Sequence, residues 1–123
     1  MARVVSSFFV GALVRRCETE GAFAAIARRG SPEAGAIFVK VLRPGRLADL
    51  YAPAPQVLFD DERPADRLFE KVMDGAAEAD VEARLRRETD FDPDLWIVEI
   101  EDRQGRGFVE TIPVPPPGAE IFR

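Results

Sequence analysis

"AFAAIARRGSPEAGAIFVKVLRPGRLADLYA", residues 22–52, is the stretch on which the fold turns. Its second part reads plainly. "AIFVKVLR" (36–43) is rich in β-branched residues, "PGR" (44–46) makes a turn, and "LADLYA" (47–52) alternates, so two strands are expected. The opening "AFAAIARR" (22–29) is ambiguous, because its alanines favour helix by propensity. The turn-rich "RGSPEAG" and the strand after it argue for a hairpin of 22–29 with 36–43 instead. In that hairpin the small alanines let a helix sit close to the sheet.

Working outward, Ser6 or Ser7 can cap a helix over about 7–19. Phe9, Val10, Leu13, Val14 and Cys17 recur on one of its faces, and Gly21 stops it. Residues 53–66, with three prolines, read as a polar loop. "RLFEKVM" (67–73) fits either period and is taken as a strand. "EADVEARLRRET" (78–89) is a helix with Val81 and Leu85 inward and a Glu82–Arg86 pair at i,i+4. Leu95–Glu101 is a strand, "DRQGRG" turns the chain, and "FVETI" (108–112) pairs back as a hairpin. Short turns between strands imply antiparallel neighbours. The expected fold is α+β: a mostly antiparallel sheet of four to six strands with two helices packed on one face. Residues 1–112 form one domain in this reading, and "PVPPPG" opens an extended Pro-rich tail over 113–123.

Composition narrows the chemistry. A chain of 123 residues buries roughly two-thirds of its unfolded surface and needs no staples. There is no histidine, so neither a Ser-His nor a Cys-His couple forms, and histidine-bearing zinc sites are excluded. The lone Cys17 allows no internal disulfide and sits on the apolar face of the first helix, where it reads as core. No Gly-rich phosphate loop occurs. The net charge of -5 is unevenly spread. Residues 1–50 hold 8 Lys/Arg against 4 Asp/Glu, and residues 51–123 hold 9 against 18. Packing of the two halves against each other is the simpler reading of that asymmetry, and head-to-tail association between chains is the alternative. An acidic chain is a poor ligand for phosphate backbone, so no nucleic-acid partner is expected. The apolar run Val4–Val14 is shorter than the ~20 residues of a membrane span. Charged residues separate it from "AFA" (22–24), unlike a secretory signal, so a cytoplasmic protein without membrane attachment is expected.

"DFDPDLWIVEIE" (90–101) is where carboxylates gather. Asp90, Asp92, Asp94 and Glu101 match the first, third, fifth and twelfth places of a calcium loop. Leu95 stands where that loop's sharp turn wants glycine, and a strand carries Glu101 roughly 20 Å from Asp94 at about 3.3 Å per residue. A metal-nuclease pattern, Pro93-Asp94 followed by Glu99-Ile100-Glu101, lacks its lysine. Asp92, Asp94, Glu99 and Glu101 are therefore only the metal candidates of a hydrolase alternative. The simpler reading is a proline turn followed by a sheet strand. Trp96, Val98 and Ile100 then pack on a helix layer. Leu95, Ile97, Glu99 and Glu101 face the other way, as an open face or an interaction surface with arginines for the glutamates.

"RRETDFDPDLWIVEIEDRQGR" (86–106), together with "LVRRCETEGAFAAIARRGSPEAGAIFVKV" (13–41), resembles the alphaproteobacterial family named domain of unknown function 1491. The resemblance covers most of residues 6–109 and leaves out the tail. It implies a bacterial cytoplasmic protein of one domain and brings no activity, cofactor or functional residue with it. The expected function is a small non-catalytic interaction or ligand-binding module without cofactor, with a homodimer or another protein as partner.

Overall fold

The computed structural model describes residues 4–55 and 67–112. The Pro-rich tail 113–123 and most of the loop expected over 53–66 lie outside them. The elements run α1 (Ser6–Thr19), β1 (Phe23–Arg28), β2 (Ile37–Arg43), β3 (Leu47–Pro53), β4 (Phe69–Ala77), α2 (Glu78–Phe91) and β5 (Trp96–Glu101). The ambiguous segments 22–29 and 67–73 are both strands, as read from the sequence. No helix among the described residues is long and apolar enough to cross a membrane.

The strands form one sheet in the order β1-β5-β2-β3-β4. Three of its four pairings are antiparallel, and β2 with β5 is parallel. The expected hairpin of 22–29 with 36–43 is therefore corrected: β5 lies between the two strands. A parallel neighbour needs a crossover. Here β3, β4 and α2 provide it, and α2 passes over one face of the sheet on the way. "FVETI" does not pair back on β5 either. Phe69 N–H donates to the Glu110 carbonyl at 2.9 Å and Ile112 N–H to the Phe69 carbonyl at 2.9 Å, which lays this segment beside the start of β4.

The helices occupy opposite faces of the sheet, not one. Val10, Leu13 and Cys17 of α1 pack with Ile37, Val39, Val41, Trp96, Val98 and Ile100. Val81 and Leu85 of α2 pack with Phe38, Leu50 and Leu95. Side chains alternate along β2, so its residues divide between the two cores, and Ile37–Val41 are all buried. A continuous apolar run such as "IFVKVL" marks a strand covered on both sides. Ala22 and Ala24 sit beneath α1, as their size allows.

The loop after β1 arches over the start of β5. Ser31 N–H donates to the Asp94 carbonyl at 2.8 Å, and Trp96 Nε1–H donates to the Ser31 carbonyl at 2.7 Å. The same loop finishes α1. Neither serine caps the helix with its side chain. Instead Ser6 and Ser7 N–H donate to the carbonyls of Glu33 and Pro32 at 3.1 and 2.8 Å, and buried Ser6 Oγ donates to the Gly35 carbonyl at 2.6 Å. Those carbonyls satisfy first-turn amides that otherwise lack partners.

So close an approach needs glycine. A Cβ on Gly30 would lie 2.1 Å from the Asp94 carbonyl oxygen, and one on Gly35 2.3 Å from it. The obstacle is backbone and cannot swing aside. Gly30→Ala is expected to cost about 2–3 kcal/mol, read as a fall in melting temperature. Gly11→Ala, where a Cβ would meet only the Arg15 guanidinium at 3.5 Å, controls for the loss of a glycine as such.

Candidate functional site

A charged cluster lies under α2. Lys40, in the middle of β2, points to the α2 face between Phe38 and Leu42 and keeps only 2% of its side chain exposed. Glu78 and Glu82, one turn apart on α2, and Glu99, its register neighbour on β5, converge on the ammonium. Nζ donates to Glu78 at 2.8 Å and to Glu82, and Glu99 lies at 3.2 Å. The three carboxylates lie within 4.8 Å of one another.

Burial alone would push the Lys40 pKa down. The hydrogen bonds to Glu78, Glu82 and Glu99 outweigh it and hold the amine protonated, above the ordinary lysine range. In return the Lys40 ammonium lowers the Glu78 carboxyl. A protonated amine is no nucleophile, and all three carboxylates converge on it. The arrangement clamps α2 to β2 and β5.

The acidic stretch divides accordingly. Asp92 Oδ1 accepts from Asp94 N–H at 3.1 Å, which is the expected proline turn. Arg28 donates to the Pro93 carbonyl at 2.6 Å across that turn. Of the metal candidates only Glu99 joins a carboxylate cluster, and its companions there are Glu78 and Glu82 rather than Asp92, Asp94 or Glu101. Glu99 meets a lysine where an arginine was expected, and Glu82 turns to Lys40 instead of Arg86. The pair within α2 is Arg84–Glu88 at 2.8 Å. Trp96, Val98 and Ile100 lie in the α1 core as expected. The opposite side of β5 is not an open face: Leu95 is wholly buried under α2, Ile97 half-buried, and Glu101 alone is exposed. Cys17 is core, and burial pushes its thiol pKa up. A cation of the basic half meets anions of the acidic half at Lys40, while the Arg106–Glu20 pair at 3.1 Å joins the halves in the opposite sense.

Sequence reasoning missed Lys40, Glu78 and Glu82. Their signal was a lone lysine inside an apolar strand, followed later by two glutamates four apart at a helix start. The α2 face holds a second feature. Between α2 and β1 runs an open groove of about 320 Å³, with Leu85 and Ile97 as floor and Ala27, Arg28 and Arg86 among its walls.

Lys40→Met is expected to cost about 3 kcal/mol, because it leaves the carboxylates facing one another without their cation. Further substitution of Glu99→Gln should recover part of that loss, and urea unfolding checks both. In the native chain the Lys40 ammonium already occupies the point on which the three carboxylates converge. Millimolar Ca²⁺, Mg²⁺ or Mn²⁺ should therefore leave both the Trp96 fluorescence and the melting temperature unchanged. A saturable response would restore the hydrolase alternative.

A family model described as "Protein of unknown function (DUF1491)" matches residues 4–110. Protein Atu0922 from A. tumefaciens, solved in solution, is 41% identical, with TM-score 0.78 over 92% of this chain and 98% of that one. A DUF1491 family protein from Caulobacter crescentus CB15, solved as a crystal, is 35% identical, with TM-score 0.73 over 89% and 98%. An NMR structure of a DUF1491 family protein from Caulobacter crescentus CB15 is similar as well, with 34% identity and TM-score 0.74 over 92% of this chain and 100% of that one. Among curated proteins none matches. Sequence match and backbone likeness agree along nearly the whole chain, which belongs to the DUF1491 family.

Proposed function

We propose that this protein is a small cytoplasmic interaction module that binds an extended strand along β1. The observation that carries the reading is the contrast between the two edges of the sheet. An edge strand presents unpaired N–H and C=O groups, and proteins blunt such edges with charges, bulges or a covering segment. β4 has these protections. It carries Glu70, Lys71 and Asp74, and its start is covered at Phe69 by residues 110–112. β1 reads "FAAIA" before its first charge, at Arg28, and its one irregularity comes at that far end, between Ile26 and Arg28. Phe23 is 66% exposed and Ile26 37%. An apolar, uncharged edge suits strand addition, in which backbone hydrogen bonds give affinity and alternate side chains give selectivity.

The cluster under α2 supports a binding role over a catalytic one, since its groups are spent on one another. The buried single thiol fits a reducing compartment. A photo-crosslinking amino acid in place of Phe23, in an alphaproteobacterial host, should give covalent protein adducts. The same group in place of Leu47, three strands away and 40% exposed, should give none. Equal labelling at both positions, or none at Phe23, would count against the β1 edge.

A further inference from the structure

The strand that β1 accepts can be identified from its own sequence and surroundings. We propose that it is β1 of a second copy, joined antiparallel about a two-fold axis at Ala25. This inference rests on the β1 edge as the binding surface and adds the partner and the register.

Residues that oppose each other in an antiparallel pair point to the same face of the sheet. Phe23 and Ala25 stand opposite Glu101 and Glu99, on the face that α2 covers. Ala27 and Arg28 line the groove on that same face. An axis at Ala25 sets the two Ala25 residues against each other and Phe23 against the partner's Ala27. The exposed Phe23 ring of each copy then lies over the other copy's groove, whose floor is Leu85 and Ile97. An exposed aromatic side chain of this edge meets a hollow beside the same edge, and the two-fold makes that contact twice.

Charge is complementary in the same register. Glu101 is the register neighbour of Phe23, is exposed, and has no ion-pair partner among the described residues. Arg86, on the wall of the groove, is likewise exposed and unpaired among them. Antiparallel pairing brings the acidic end of each β1 to the basic end of the other. Glu101 then lies two strand spacings, about 10 Å, from the groove that Arg86 flanks, within the joint reach of the two side chains.

Light scattering on the full chain at tens of micromolar should give twice the monomer mass. Phe23→Glu should raise the dimer dissociation constant by about tenfold or more while leaving the melting temperature of the monomer intact, since Phe23 is exposed. The register has its own test. Facing Cα atoms in an antiparallel pair lie about 4.5–5.5 Å apart, within disulfide reach. On oxidation, Ala25→Cys should form an intermolecular disulfide and Leu47→Cys none. The native thiol, Cys17, is buried and does not compete. A strictly monomeric mass with no Ala25→Cys disulfide would overturn the proposal, as would a dimer indifferent to Phe23→Glu. If such a monomer is still crosslinked at position 23 to a different protein, the β1 edge stands and self-pairing falls.

Discussion

Five consecutive side chains of β2, Ile37–Val41, are withdrawn from water, and the architecture answers to that. A strand buried on both faces needs a layer above and a layer below, with neighbours on both sides. α1 supplies one layer and α2 the other. β3 is the hairpin neighbour. The remaining neighbour is β5, which arrives parallel because α2 has carried the chain back over the sheet. The only polar member of the five, Lys40, could not be buried without counter-charge, and the first two turns of α2 bring two of its three carboxylates. Hydrophobic coverage and charge neutralisation thus fix α2 in the same place.

The elements were legible in the sequence because each rests on local chemistry. The period of Val10, Leu13 and Cys17, the β-branched run of β2 and the Asp92-Pro93-Asp94 turn act within a few residues of themselves. What was not legible was partnership. "AFAAIARR" and "AIFVKVLR", separated by a short turn-rich segment, look like any hairpin. Nothing local says that Gly30 and Gly35 leave room for the backbone of Asp94 rather than simply making a turn. The placement of both helices on one face failed for a related reason. The apolar run of β2, interrupted only by Lys40, signals two covered faces as well as a strand.

The carboxylates teach the same distinction. Spacing in "DFDPDLWIVEIE" suggested a cation site, and one of its residues, Glu99, does meet a cation. That cation is an ammonium from a strand far away in sequence, and the other two carboxylates come from α2. Residue type was informative, while the grouping could be found only in three dimensions. The edge contrast lay in between. "FAAIA" without a charge and "FEKVMD" with three can be compared on the page, but the comparison has meaning only once the strand order makes both of them edges.

The insertion of β5 between β1 and β2 also sets the order in which the molecule can be assembled. β1 leaves the ribosome before the other described strands, and its only sheet partner among the described residues is the last of them. Pairing Phe23 with Glu101 closes a loop spanning most of the sequence, a contact of high order that forms slowly. Until then α1 and the alanines beneath it have an incomplete surface to rest on. β2, β3 and β4 can zip as a meander during synthesis, while the segment from α1 to Gly35 waits, with its apolar strand unpaired, for residues 94–101 to emerge. The nascent chain is in this sense held open at its front, and closes from the back.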